Sequence, residues 1–64
     1  MRESEALRLV AEALDEKFAA IGAAYAEGDA EAFDEAKRRY EDSWKAFEQL
    51  GMTIKMRGGR HFVS

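Results

Sequence analysis

Residues 27–29, EGD, divide most of the chain into two predicted helices. Gly28 can adopt the left-handed backbone conformation that ends a helix, and Asp29 can cap the following helix with its carboxylate. Glu31 then lies in the first turn of the second helix, where negative charge is favoured. The stretch therefore predicts a tight turn between two antiparallel helices.

Apolar residues recur at steps of three and four on both sides of this turn, which is the pattern of amphipathic helices. We predict a first helix over about residues 4–27 and a second over about residues 30–50, which Gly51 ends. The apolar positions are Leu7, Val10, Leu14, Phe18, Ile21 and Tyr25 in the first helix, and Phe33, Ala36, Tyr40, Trp44 and Phe47 in the second.

The segment after the helices, MTIKMRGGRHFVS at residues 52–64, has a different character. Two β-prone runs flank a Gly-Gly pair, which predicts a β-hairpin with strands at about 53–57 and 60–63 and a primed two-residue turn. An isolated two-stranded hairpin is only marginally stable in water, so this one must lie on the helices or join other strands.

The register of the predicted hairpin divides its side chains between two faces. In that register one face is mostly apolar and the other carries a Lys–Phe pair. The apolar face has Ile54 opposite Val63 and Met56 opposite His61, and the other face has Lys55 opposite Phe62.

The length of 64 residues allows one small domain, made of a helical part at 1–51 and a basic tail at 52–64. A chain this short has a marginal core and usually needs a disulfide, a metal or a partner chain. There is no cysteine and only one histidine, which excludes disulfides and sites built from several histidines. We therefore expect a homodimer in which the apolar stripes close into a four-helix bundle.

The predicted core and dimer interface combines the large apolar residues of both helices, because the aromatic stripe is heavy for two helices alone. Gly22, in the middle of the first helix, costs about 1 kcal/mol relative to alanine and suggests a close approach by a neighbouring helix. The interface residues are Leu14, Phe18, Ile21, Tyr25, Phe33, Tyr40, Trp44 and Phe47.

The net charge of −3 hides an asymmetry along the chain. Residues 1–51 carry a formal charge of −6, whereas residues 52–64 carry +3 and no acidic side chain. The acidic body does not suggest general binding of nucleic acids, although the basic tail keeps a local contact open. Acidic residues near the N-terminus replace the apolar core of a signal peptide, and we expect a cytoplasmic protein with no membrane contact.

No catalytic or metal-binding pattern can be assembled from these residues. The acidic clusters at 12–16 and 31–35 lack a Glu-x-x-His motif, and Glu12, Glu16, Glu31 and Glu35 lie away from the apolar stripe, so a solvated face is the preferred interpretation. His61 has no cysteine partner, and RGGR lacks the spacing of a phosphate loop. We therefore expect no enzymatic activity and no cofactor.

Three functional hypotheses follow. The first is a small non-catalytic interaction module that binds or regulates a larger protein complex. The second is an inhibitor of a nucleic-acid-handling host complex, of the kind that phages and mobile elements encode, anti-CRISPR proteins included. The third, given less weight, is a nucleic-acid binder that uses the basic tail. The predicted partner-binding residues are Lys55, Arg57, Arg60, His61 and Phe62.

Overall fold

The computed structural model describes residues 3–64 and contains two helices followed by a small antiparallel sheet. This mainly helical architecture confirms the predicted order of elements. Helix α1 spans Glu3–Glu27, helix α2 spans Ala30–Gln49, strand β1 spans Ile54–Arg57 and strand β2 spans Arg60–Val63.

The turn between the helices has the predicted chemistry. Gly28 has a φ of 70°, and its N–H donates to the carbonyl of Tyr25 at 3.1 Å. The N–H of Asp29 donates to the carbonyl of Ala24 at 3.2 Å, which completes a Schellman motif at the end of α1. The Asp29 side chain then caps α2 by accepting a 3.0 Å hydrogen bond from the N–H of Ala32.

The end of α2 repeats this arrangement one residue before its predicted boundary. Gly51 has a φ of 95°, and its N–H donates to the carbonyl of Glu48 at 2.9 Å. The N–H of Met52 donates to the carbonyl of Phe47 at 3.2 Å. The two bonds reverse the chain direction and direct the following strand back along the helices.

The hairpin has the predicted register. Gly58 and Gly59 have φ values of 60° and 80°, as a type I′ turn requires at both central positions. Thr53 and Ser64 exchange two backbone hydrogen bonds of 2.8 and 2.9 Å just beyond the strand ends. The paired residues are Ile54 with Val63, Lys55 with Phe62, Met56 with His61 and Arg57 with Arg60.

The core lies where β2 packs against α1. Leu14 is fully enclosed, and Ala24, Ile54 and His61 are also buried. No side chain of α2 reaches the same degree of burial. Strand β1 pairs with β2, and its backbone lies farther from α1 than that of β2 does, although Ile54 is buried.

The predicted interface residues differ widely in exposure. Leu14 is the only one in the buried class, whereas Tyr25 at the turn is 76% exposed. Apart from its chain neighbours and the adjacent backbone of α1, no atom of residues 3–64 lies within 4 Å of where a Cβ at Gly22 would be, so the close approach predicted there does not occur among the described residues of one protomer. The remaining members, Phe18, Ile21, Phe33, Tyr40, Trp44 and Phe47, are all partly exposed.

Neither helix within residues 3–64 carries an apolar stretch long enough to cross a bilayer. The longer helix, α1, has 25 residues, and its longest run without a charged side chain is residues 18–26.

Candidate functional site

The C-terminal hairpin presents two faces of opposite character. We call the side chains of Ile54, Met56, His61 and Val63 the inner face, because they point towards the helices. We call the side chains of Lys55, Arg57, Arg60 and Phe62 the outer face, and all four of these residues are exposed. The inner face holds the hairpin in place, and the outer face is available for contact.

Asp15 on α1 holds the inner face through His61. One carboxylate oxygen, Oδ1, accepts a 2.8 Å hydrogen bond from the backbone N–H of His61. The same oxygen lies 2.7 Å from Nδ1 of the His61 ring. An ionised carboxylate can only accept hydrogen bonds, so the ring proton sits on Nδ1 in this contact. A single oxygen therefore fixes both the strand and the orientation of its histidine.

Tyr40 on α2 engages the other side of the same ring. Its hydroxyl oxygen lies 2.6 Å from Nε2 of His61. A neutral His61 accepts the hydroxyl proton, and a protonated His61 donates to the hydroxyl oxygen. Because a hydroxyl can do either, the chain from Asp15 through His61 to Tyr40 stays hydrogen-bonded in both charge states of the ring. It connects α1, β2 and α2.

Aromatic rings surround the histidine. The ring centroid of His61 lies 5.4 Å from that of Tyr40, 5.7 Å from that of Trp44 and 6.0 Å from that of Phe18. All three pairs meet edge to face, the geometry that aromatic quadrupoles favour. The side chain of His61 is wholly enclosed as a result, and every buried side-chain polar atom among the described residues has a hydrogen-bond partner.

These contacts shift two pKa values. The hydrogen bond from the His61 side chain lowers the pKa of Asp15 below its ordinary value of 3.8, against an opposing effect of desolvation. The backbone N–H of His61 and the nearby charge of Arg60 act in the same lowering direction. Burial raises the pKa of Tyr40 above its ordinary value of 10.0, and the negative charge of Asp15 adds to this.

The carboxylate–histidine–hydroxyl chain has the connectivity of a catalytic triad but lacks the properties of one. A nucleophile must be accessible and activated, whereas the His61 ring is enclosed and the pKa of Tyr40 is raised. Within residues 3–64 no group of three or more His, Cys, Asp or Glu side chains is placed to hold a metal ion. The arrangement is chemically suited to holding the hairpin on the helices.

The outer face is basic and carries one exposed aromatic ring. Phe62 is 58% exposed, and Lys55 is its cross-strand partner. Arg57 and Arg60 lie directly opposite each other, an arrangement that destabilises a sheet through like-charge repulsion. Among the described residues, none of these three cations lies within 4.0 Å of a carboxylate oxygen.

The structure brings four of the five predicted partner-binding residues together on the outer face. The fifth, His61, is only 4% exposed, and its burial removes it from any surface that a partner could reach in this conformation. The predicted register already placed His61 on the face opposite Lys55. A buried imidazole needs hydrogen-bond partners, so this placement in the sequence already indicated that His61 contacts polar groups of the helices.

Asp15 and Tyr40 were not predicted to act with His61. Asp15 belongs to an acidic cluster in which Glu12 and Glu16 are exposed, as expected for a solvated face. At about 100° per residue, however, Asp15 lies only about 60° from Phe18, at the border of the apolar stripe. That border position distinguishes Asp15 from its acidic neighbours in the sequence.

Comparison with known proteins gives no relative for this chain: no family model, no curated protein and no solved structure matches it.

Proposed function

We propose that this protein is a small non-catalytic interaction module that acts as a homodimer and binds or regulates a larger protein complex. The observation that supports this proposal is the outer face, where three cations lie beside an exposed aromatic ring on a hairpin that is held to the helices. Among residues 3–64 no carboxylate oxygen lies within 4.0 Å of these cations. The outer face consists of Lys55, Arg57, Arg60 and Phe62.

The anchoring matters because a preorganised surface loses less entropy on binding. His61 is hydrogen-bonded to Asp15 and Tyr40, and Ile54 is buried beside it in the core. These contacts hold β1 and β2 in one position relative to the helices. A partner that contacts the outer face therefore does not have to order the hairpin first.

The charge distribution indicates the chemistry of the partner. The tail carries +3, with no acid among residues 52–64. An acidic partner surface would relieve the repulsion between Arg57 and Arg60, and complementary charge speeds association. Phe62 supplies the apolar anchor that binding sites of this kind often contain.

Dimerisation is supported by the incomplete burial of the helices. No side chain of α2 is in the buried class, and Tyr25 and Leu50 are 76% and 73% exposed. The hairpin covers Phe18 and Tyr40 on one side, but Tyr25 and Phe33 line an open depression of about 300 Å³ at the turn. We propose that two copies pair through such uncovered helix surfaces to form a four-helix bundle.

Sedimentation equilibrium tests the dimer directly. Tyr25→Arg places a charge on a proposed contact without disturbing the protomer, because the native side chain is mostly in solvent. Ala23→Arg adds the same charge two residues away, on another side of α1. We expect the wild type and Ala23→Arg to be dimers at micromolar concentration and Tyr25→Arg to dissociate. A wild-type monomer at that concentration would contradict the dimer.

The outer face is tested by charge reversal. Arg57→Glu should abolish capture of an interacting protein, and Phe62→Ala should weaken it, while the melting temperature stays close to that of the wild type. Arg38→Glu is the matched control, because it reverses an exposed arginine on α2. Equal capture by all four proteins would show that the outer face is not the binding surface.

Nucleic-acid binding is the second candidate, and a specific observation favours it. Phe62 is exposed on a sheet beside Lys55, an arrangement in which a base can stack on the ring while the cation contacts a phosphate. Fluorescence anisotropy with an oligothymidylate would detect such binding. A slope of log affinity against log salt of about −2 for three cations, lost in Phe62→Ala, would favour nucleic acid. The narrower hypotheses of a phage-type inhibitor and of a cytoplasmic location stay predictions.

A further inference from the structure

The two edges of the hairpin are not equivalent. In an antiparallel pair, residues alternate between hydrogen-bonded and non-hydrogen-bonded positions, and the latter point their N–H and C=O groups away from the partner strand. Thr53 and Ser64 exchange both backbone bonds, which places the Ile54–Val63 and Met56–His61 pairs in the second class. The outward amides therefore belong to Ile54 and Met56 on β1 and to His61 and Val63 on β2.

The edge of β2 is blocked by the helix. The outward N–H of His61 donates to Asp15 Oδ1 at 2.8 Å, and β2 packs along α1. Ser4, Leu7 and Ala11 on α1 lie around the C-terminal half of β2. A further strand cannot pair with β2 while the hairpin is docked, because α1 occupies the position that the strand would take.

The edge of β1 is open. The N–H groups of Ile54 and Met56 make no hydrogen bond to any residue between 3 and 64. The backbone of β1 lies farther from α1 than that of β2 does, and Met56 is 44% exposed, although Ile54 is only 7% exposed. Such an edge is a template for pairing with another extended chain. Its exposed length is short, which limits non-specific aggregation, and Met56 carries the more accessible of the two outward amides.

We propose that the β1 edge binds an extended, acidic segment of a partner protein as a third strand. This inference rests on the interaction-module function proposed above and names the class of ligand. Lys55 and Arg57 lie on the outer face of β1, so alternate side chains of an added strand lie beside them. Carboxylates at those positions are attracted to both cations. Main-chain hydrogen bonds supply affinity and the alternating side chains supply selectivity.

Charge argues against a second copy of β1 as the occupant. Antiparallel pairing of two β1 strands brings Lys55 and Arg57 of both copies onto one small surface, together with Arg60. Like charges that face each other across strands are destabilising. The charge of +3 on residues 52–64 thus favours an acidic strand from another protein over self-pairing.

The test uses the full ¹⁵N-labelled chain and a capped hexapeptide of alternating glutamate and valine. Addition of the peptide should shift the amide resonances of Ile54 and Met56 and slow their exchange with solvent. The His61 amide should change little, since Asp15 already accepts its proton. A hexapeptide of alternating lysine and valine is the control, and it should bind at least about tenfold more weakly because of its like charge.

A proline at position 56 tests the contribution of the β1 edge separately from that of the side chains. Met56→Pro removes one outward N–H and leaves every hydrogen bond between β1 and β2 intact, because position 56 is a non-hydrogen-bonded site. Met56→Ala keeps the N–H and removes the same side chain. We expect Met56→Pro to bind the acidic peptide about tenfold more weakly than Met56→Ala, the effect of one lost hydrogen bond. The wild-type titration provides an independent test if the proline variant is unfolded.

Three outcomes would overturn the inference. The first is the absence of any shift at Ile54 and Met56 at millimolar peptide, and the second is equal binding of the acidic and basic peptides. The third is binding of an oligothymidylate in place of the peptide, with shifts confined to Phe62 and its neighbours. Failure of this inference can be distinguished from failure of the proposed interaction-module function. A protein whose capture is lost in Arg57→Glu but retained in Met56→Pro would leave the interaction module standing and refute the β1 edge as its binding site.

Discussion

Asp15 Oδ1 lies 2.8 Å from the backbone nitrogen of His61 and 2.7 Å from its Nδ1, so one oxygen of α1 holds a strand that is 46 residues away in the sequence. This contact determines where the hairpin sits and which of its edges is covered. It also places the only histidine of the chain inside the molecule. The proposed binding surface therefore depends on a carboxylate that is not part of it.

Removing the Asp15 carboxylate should loosen the hairpin. Asp15→Ala removes the acceptor of two hydrogen bonds and leaves the enclosed His61 ring nitrogen without its partner, which should cost about 2 kcal/mol. Asp15→Asn keeps a neutral acceptor at the same place and should cost about 1 kcal/mol. Urea denaturation gives both values. Glu16→Ala, on the exposed face of α1, is the control and should melt like the wild type.

Acid should destabilise the protein by protonating Asp15. The pKa of Asp15 is lowered in the folded protein, chiefly by the His61 side chain. The folded state therefore binds the proton less tightly than the unfolded state. Its stabilisation is complete well above pH 3.8 and is lost as the pH falls through the lowered pKa. Between pH 6 and pH 2 the wild type should lose more stability than Asp15→Asn. If the free energy of unfolding fell equally with pH in both proteins, the Asp15 carboxylate would not contribute to stability.

Tyr40→Phe should destabilise the protein without changing its shape. The substitution removes the hydroxyl that lies 2.6 Å from Nε2 and leaves that enclosed nitrogen unsatisfied, at a cost of about 1–2 kcal/mol. Tyr25→Phe removes an exposed hydroxyl and should have no measurable effect on the protomer. The raised pKa of Tyr40 means that its stabilisation is present below pH 10.0 and lost as the pH rises through the shifted value. Tyr40→Phe should lack that alkaline loss.

Local chemistry explains why the order and ends of the elements could be predicted. Gly28, Gly51 and the Gly58–Gly59 pair all have positive φ values, and Asp29 caps the helix that follows it. Each of these features depends on residues adjacent in the chain, so the sequence contains all of the information that determines them. The hairpin register follows from the same two glycines, because a two-residue turn fixes which residues face each other.

The polar contact beneath the hairpin could not be predicted in the same way. Asp15, Tyr40 and His61 lie on three different elements, and they meet only once those elements are packed. Helical periodicity gives the face on which Asp15 lies but not the strand that covers it. The exposure of Tyr25 has a related cause: its position matches the apolar period, but the hairpin ends near Phe18 and does not extend over the helix turn.

Ile54 and Met56 both lie on the inner face of the docked hairpin, but they differ in burial. Ile54 is 7% exposed, so Ile54→Asp puts a carboxylate into apolar surroundings and should cost about 3 kcal/mol. Met56 lies two residues further along the same face and is 44% exposed, so Met56→Asp should lower the free energy of unfolding by less than about 1 kcal/mol. Denaturant titration combined with amide exchange over residues 52–64 distinguishes the two variants. Equal costs would contradict the docked geometry.

Gly22 connects helix stability to the proposed dimer. Apart from its chain neighbours and the adjacent backbone of α1, no atom of the described residues lies within 4 Å of a Cβ built at this position, so Gly22→Ala should stabilise α1 by about 1 kcal/mol through helix propensity alone. Gly28→Ala is the contrasting variant, because its φ of 70° strains an alanine and should make that protein less stable.

The concentration dependence of the Gly22→Ala effect tests whether another copy packs at this position. Thermal melts should be recorded below and above the concentration at which dimers form. An equal gain at both concentrations would place Gly22 outside the dimer interface. A gain that disappears in the dimer would place the second copy against this part of α1, because close helix packing leaves no room for the added methyl group. A loss of stability in the monomer itself would contradict the open surroundings of Gly22 in the protomer.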